Sequence, residues 1–134
     1  MPNLPCVLLV DDDPTTNFLN RKLLLRLGVT EEVRVAHNGQ EALGILRTCQ
    51  DQSAPCPVLI FLDVNMPIMG GLAFLEAYQQ LPPAQQTAVG VVMLTTSVSP
   101  HDQQRVQELP IADYLDKPLT QQQVERVLAR HFAG

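Results

Sequence analysis

Three consecutive aspartates, Asp11, Asp12 and Asp13, follow the apolar run Cys6–Val10. Asp63 closes a second run, Val58–Leu62, Thr95 a third, Val89–Leu94, and Lys117-Pro118 lies just beyond a fourth, Ile111–Leu115. Carboxylates, a hydroxyl and one amine are the parts of a site for a hard cation and a phosphoryl group, provided that the runs end side by side. Carboxylates brought together repel one another unless a cation is bound. Hard oxygen ligands in a small, partly hydrated site suit Mg²⁺, which takes one or two carboxylates together with phosphate oxygens. A Ca²⁺ loop fits poorly, because Asp11-Asp12-Asp13-Pro14 lacks the alternating spacing of an EF-hand.

Most of these residues also have a plainer reading. Asp13 stands before Pro14 and can serve as a helix N-cap, which needs no function. Thr95 alone could satisfy a local backbone group, and Lys117 alone reads as a surface lysine paired with Asp116. Asp11 and Asp12 are not explained by capping. Their common position at strand ends makes one site a simpler account than separate coincidences.

The elements that must position them alternate along the chain. Cys6–Val10 is continuously apolar and reads as a buried strand. A helix opens at Asp13-Pro14 and runs to about Leu27, where Gly28 supplies a stop. Leu19, Leu23 and Leu27 form its expected buried stripe. Glu32–Ala36 is the second strand, Asn38-Gly39 a turn and Gln40–Cys49 a helix. A polar loop, Gln50–Pro57, leads to the core strand Val58–Leu62. After the loop Pro67–Gly71, a helix from Leu72 to Gln80 ends before Pro82-Pro83. Val89–Leu94 is the fourth strand, and Ser99-Pro100 opens a fourth helix with Asp102 in its first turn. Ile111–Leu115 is the fifth strand. Thr120 caps a fifth helix whose inner face is Val124, Val127, Leu128 and His131. Five such alternations predict an α/β domain with a parallel sheet covered on both faces. In such sheets ligands bind beyond the carboxyl ends of the strands, where these residues stand.

Composition bounds the rest. A chain of 134 residues is the size of one globular domain, and one domain over 1–134 is expected. The net charge of −5 lacks the basic footprint that nucleic-acid binding needs. No signal peptide or membrane span is visible, because the early apolar run has no basic flank and ends in aspartates. Cys6, Cys49 and Cys56 are an odd set, read as reduced thiols of a cytosolic chain. A Cys49–Cys56 bridge is conceivable, but spacing does not test its geometry. His37, His101 and His131 are too scattered for a ligand cluster.

Val10-Asp11-Asp12, Leu62-Asp63-Val64-Asn65-Met66-Pro67, Leu94-Thr95 and Tyr114-Leu115-Asp116-Lys117-Pro118 together resemble the motif set of bacterial response-regulator receiver domains, in order and spacing, across nearly the whole chain. The resemblance implies a three-layer flavodoxin-like (βα)5 fold, a doubly wound parallel sheet of order 2-1-3-4-5, in a CheY-like protein of the stand-alone type. It implies that Asp63 is the phosphoacceptor in a two-component phosphorelay. Asp12 and the backbone carbonyl of Asn65 would ligate Mg²⁺ directly, with Asp11 acting through water. Thr95 and Lys117 would hold the phosphoryl oxygens, and Thr95 and Tyr114 would be the switch pair. The Lys117-Pro118 bond resembles one that is cis in the family. Phosphorylation adds charge and acceptor oxygens at Asp63. Movement of Thr95 would then let Tyr114 turn inward and alter the surface of helix four, strand five and helix five.

Implied partners are a sensor histidine kinase or histidine phosphotransfer protein and a downstream target protein whose identity is not written in the sequence. The chain is expected to be cytoplasmic, a monomer or a phosphorylation-dependent dimer, and no enzyme beyond self-catalysed phosphorylation and dephosphorylation. Thr96 stands where the family has a small residue, which narrows access to the phosphoryl group. Gly70 stands where Asp, Asn or Gly is usual, a change of little expected effect, and Leu109-Pro110-Ile111 is an atypical lead-in to strand five. Three rivals share parts of this pattern. A haloacid-dehalogenase-type phosphatase wants a second aspartate where Asn65 stands. A receiver-like interaction module without phosphorylation would not need the acidic pair, Thr95 and Lys117. A flavodoxin would need a hydroxyl-rich phosphate loop in place of the aspartates.

Overall fold

The computed structural model describes residues 3–51, 55–64, 66–86, 88, 90–95, 111 and 113–132. Five parallel strands form one sheet: β1 (Val7–Val10), β2 (Val33–Ala36), β3 (Leu59–Asp63), β4 (Gly90–Thr95) and β5 (Asp113–Asp116). Their order is β2-β1-β3-β4-β5, as expected. The register pairs Val10 with both Ala36 and Leu62, Asp63 with Leu94, and Thr95 with Asp116. All four pairings are parallel and therefore bring their strand ends to one edge.

Alternation along the strands divides the core into two layers. Leu8, Val10, Ile60, Leu62 and Met93 face α2 (Gly39–Thr48) and α3 (Gly71–Gln79), meeting Leu43, Leu46, Phe74 and Leu75. Val7, Leu9, Phe61, Val92 and Leu94 face α1 (Pro14–Arg26) and α4 (Gln121–His131), meeting Leu24, Val124, Val127 and Leu128. Because both faces are covered, the central strands β1 and β3 are buried at every position, which is why they read as unbroken apolar runs. The helix expected from Ser99 lies outside the described residues, so α4 is the fifth of the expected helices. No helix among the described residues is long and apolar enough to cross a membrane.

Local chemistry fixes the helix ends. Asp13 caps α1 by accepting from the Thr15 amide, and Gly28 (φ +72°) takes the left-handed turn beyond it. Asn38 caps α2 by accepting from the Glu41 amide, so Asn38-Gly39 is a helix start as well as a turn. Thr120 and Gln123 close a reciprocal capping box on α4. His131 on the inner side of α4 is half-buried, whereas Val124, Val127 and Leu128 are fully buried.

Two expectations are corrected. Leu19 does not join a buried stripe on α1, because its side chain is 58% exposed. The buried positions are Asn17, Asn20 and Leu24, with Leu23 and Leu27 partly covered at the margin. The helix is rotated so that its first turns face the polar strand ends instead of the apolar core. The cysteines are not all reduced thiols either. Cys49 and Cys56 form a disulfide with a Cα–Cα distance of 5.3 Å, while Cys6 is free and buried. A short 3₁₀ turn, Cys49–Asp51, follows α2 and turns the chain at the first of these cysteines.

Candidate functional site

Asp11 follows β1, Asp12 stands one residue further on, and Asp63 ends β3 beside it in the sheet. Each offers a carboxylate oxygen, and the three lie within 4.8 Å of one another. Asp11 and Asp63 are buried and Asp12 is exposed, so the cluster is open to solvent on one side. Three formal negative charges at this separation demand a counter-charge. Lys117 supplies one: its Nζ lies 2.6 Å from Asp11 Oδ2 and 3.4 Å from Asp63 Oδ2. Lys117 thus reaches across the sheet end instead of pairing with Asp116 at the surface. The Lys117–Pro118 peptide bond that leads away from it is cis, as the resemblance implied.

The geometry around Asp11 is tightly specified. Its Oδ1 accepts from the Asp13 amide at 2.9 Å, and its amide donates to the Ala36 carbonyl at 3.1 Å. Its carbonyl accepts from Asn17 Nδ2 at 2.8 Å. Sequence reasoning gave Asn17 no part, since an asparagine within a helix carries no signal of an inward position. Asp13 is fully used in capping, its Oδ2 accepting from Thr16 Oγ1 at 2.7 Å, and this bond and that to Thr15 hold its carboxyl below the usual range. Burial alone would pull the Lys117 pKa down. The hydrogen bond and charge of Asp11, followed by those of Asp63, outweigh it, so the ammonium is held protonated above its ordinary range.

The other expected site residues are placed less completely. Asn65 lies outside the described residues. Thr95 ends β4 and pairs with Asp116, and its side chain is outside the described set. Tyr114 pairs with Met93 on the same two strands, half-buried against the α2–α3 side of the core. Asp11, Asp12, Asp63 and Lys117 are therefore brought together. Thr95 and Tyr114 are brought to adjacent strands.

The loop after Asp63 folds back on the strand. The Gly71 amide donates to the Val64 carbonyl at 2.9 Å, and a Cβ at Gly71 would overlap the Asp63 carbonyl. At Gly70 a Cβ would approach the Val64 carbonyl to 2.9 Å. The glycine there, expected to matter little, is thus fitted closely to this loop. Beyond it the Gly39 amide donates to the Met69 carbonyl at 2.8 Å and ties the loop to the start of α2. A groove of about 920 Å³ opens beside the carboxylates instead of over them, between α1 and the segment after β5, lined in part by Leu19, Asn20, Leu23, Lys117 and Leu119.

Comparison with known proteins adds to this geometry. The family model for the response regulator receiver domain matches residues 7–129. The sensor histidine kinase GacS of Pseudomonas protegens is 31% identical over 94% of this chain, which spans 13% of that protein's length. The histidine-protein kinase BarA of Escherichia coli is 28% identical over 96% of the chain, again 13% of the kinase. Among solved structures, a two-component response regulator from Cytophaga hutchinsonii is 26% identical with a TM-score of 0.84, covering 98% of both chains. The chemotaxis protein CheY4 of Vibrio cholerae is 30% identical with a TM-score of 0.74, covering 96% of this chain and 98% of that one.

Proposed function

The chain belongs to the response-regulator receiver family, and from that premise we propose that Asp63 is its phosphoacceptor and that the 134 residues act as one receiver unit. Receiver domains are signalling modules of two-component systems that work with histidine kinases or phosphotransfer proteins. The observation that carries the assignment to Asp63 is its place in the carboxylate cluster, with the Lys117 ammonium bridging it to Asp11.

In the proposed reaction an Asp63 carboxylate oxygen forms a bond to the phosphorus of a phosphohistidine donor as the P–N bond breaks. The electron pair of that bond leaves with the imidazole nitrogen. Transfer of this kind needs alignment and charge neutralisation more than covalent help. Asp11, Asp12, Asp63 and the Asn65 carbonyl are the residues that would hold Mg²⁺, and their hard oxygen donors fit that ion. When bound, it neutralises the charge that gathers on the transferring phosphoryl oxygens. Lys117 is positioned to follow an oxygen of the new aspartyl phosphate, and Thr95 is assigned the other contact. Asp11, fixed by four protein contacts, acts as the rigid corner of the site.

The proposed output runs through β4 and β5. Thr95 would shift toward the phosphoryl group and Tyr114 would turn inward, altering the surface around the β4–β5 connection, β5 and α4. A sensor histidine kinase or phosphotransfer protein is the upstream partner and a separate protein the target. The proposed setting is the cytoplasm, whose thiol pool would hold the Cys49–Cys56 bridge open to reduction, and the proposed assembly is a monomer or a dimer formed on phosphorylation.

The test is labelling by acetyl phosphate with Mg²⁺, read by intact mass. Wild type is expected to gain one phosphoryl mass and Asp63→Asn none, with no label gained when Mg²⁺ is chelated beforehand. Label that persists in Asp63→Asn would sink the assignment. Beryllofluoride with Mg²⁺ is expected to shift amide resonances of β5 and α4, and an unchanged spectrum there would sink the output route.

A further inference from the structure

The two bridged sulfurs stand in different surroundings. Cys49 caps the C-terminal end of α2, where its amide donates to the Ile45 carbonyl, and the residue is 0% exposed. Cys56 lies in the connection before β3, half-buried beside the exposed Pro55. A thiol arriving from solvent therefore meets the Cys56 side of the bridge and not the Cys49 side. Thiol–disulfide exchange proceeds by attack of a thiolate on one of the two sulfurs, and access helps decide which.

The fold around the bridge has anchors of its own. Ala42, Leu43 and Leu46 seat α2 in the core. Beyond Cys49, the side-chain amide of Gln50 donates to the Ala84 carbonyl. Beyond Cys56, the Val58 amide donates to the Cys6 carbonyl at 3.0 Å, and the Val58 carbonyl accepts from the Gly90 amide at 3.2 Å. The reduced state also has a partner in place. The Leu46 carbonyl lies 3.6 Å from Cys49 Sγ. A bridged sulfur has no proton to give, so this pair becomes an S–H···O hydrogen bond only when the bridge opens. Cys6 does not compete for exchange. Burial first and the Glu32 carboxylate second push its thiol up to about 11, so it stays protonated.

We propose that Cys49 and Cys56 form a reversible redox site for low-molecular-weight thiols, in which Cys56 takes the incoming thiol and Cys49 is the resolving thiol. The thiolate RS⁻ bonds to Cys56 Sγ as the bond between the two Sγ atoms breaks. The electron pair of that bond leaves on Cys49 Sγ, which takes up a proton from water. A second RS⁻ attacks the R-borne sulfur of the adduct and releases RSSR and the Cys56 thiolate. Two small thiols are thus oxidised as one bridge is reduced. In reverse, the Cys49 thiolate displaces RS⁻ from Cys56 and recloses the bridge. The site lies before β3, at the end of that strand opposite Asp63, and needs nothing of the phosphoacceptor reading. In a reducing compartment, transient and redox-sensing bridges are the usual kind.

The test uses the full chain in glutathione buffers at about pH 8, where part of the glutathione is thiolate, quenched with acid and mapped by peptide mass. When bridged wild type meets millimolar reduced glutathione, the adduct is expected on Cys56 in about tenfold excess over Cys49, with Cys6 bare. Cys49→Ser, which lacks the resolving thiol, is expected to keep an adduct from oxidised glutathione on Cys56. Cys56→Ser is expected to take up glutathione at Cys49 about tenfold more slowly. One cooperative unfolding transition is expected in both redox states of wild type. Adduct chiefly on Cys49, or shared equally, overturns the assignment of roles. A bridge that reduced glutathione leaves intact, or that oxidised glutathione does not reform, overturns the reversible site. Loss of the cooperative transition on reduction overturns it as well, since the bridge would then be structural.

Discussion

The helices α1 and α4 lie on the same face of the sheet and contribute to the same core layer, yet they are built on opposite plans. In α4 the inward positions Val124, Val127 and Leu128 are fully buried, and Arg126 and Arg130 reach Asp113 on β5 at 3.8 and 3.4 Å. In α1 the inward positions are Asn17, Asn20 and Leu24, while Phe18 and Leu19 are each 58% exposed. One helix is committed to packing. The other gives its first turns to the strand ends, where Asn17 holds the Asp11 carbonyl, and keeps one leucine fully in the core. Helices that look alike by composition can therefore divide labour between stability and site geometry.

The sharpest way to break this comparison is to truncate α4. Leu128→Ala is expected to destabilise by about 2–5 kcal/mol, read by denaturant unfolding, with acetyl phosphate labelling intact below the melting range. Next is Asn17→Ala, which leaves the Asp11 carbonyl without its side-chain donor. The expected cost is about 1–3 kcal/mol, together with slower labelling of Asp63 that Leu128→Ala does not share. If both variants slow labelling alike, α1 has no special tie to the site. Smaller again is Leu19→Ala, expected to change stability by less than about 0.5 kcal/mol. A loss above about 2 kcal/mol would restore the leucine stripe read from the sequence.

The smallest effect concerns Lys117, which closes the site from the α4 side. Its pKa is displaced upward in the folded chain, so folding favours the protonated amine. The stability this gives is complete below the ordinary value of 10.5 and is lost as pH rises through the folded value. In EDTA, the stability gap between wild type and Lys117→Met is therefore expected to narrow above pH 10.5. A gap that stays constant from neutral to strongly alkaline pH would deny the ion pair its role.

What could be read in advance follows from the same division. The central strands were legible because burial on both faces demands unbroken apolar runs, as Leu59–Leu62 shows. Asp11, Asp12, Asp63 and Lys117 were legible because a parallel sheet collects its strand ends at one edge. The face of α1 was misread because a four-residue leucine spacing is as regular on a solvent face as on a core face. Asn17 was invisible, since its contact depends on where α1 settles against β1. The pairing of Cys49 with Cys56 depends on how a loop closes in space, which no spacing rule contains.

That pairing has a topological consequence. The bridge joins residues on either side of the connection between α2 and β3, so the chain there is a closed ring. A protease that cuts once between Cys49 and Cys56 leaves the two pieces, one bearing Asp11 and Asp12 and the other Asp63 and Lys117, covalently joined. They would migrate as one molecule until a thiol reductant separated them.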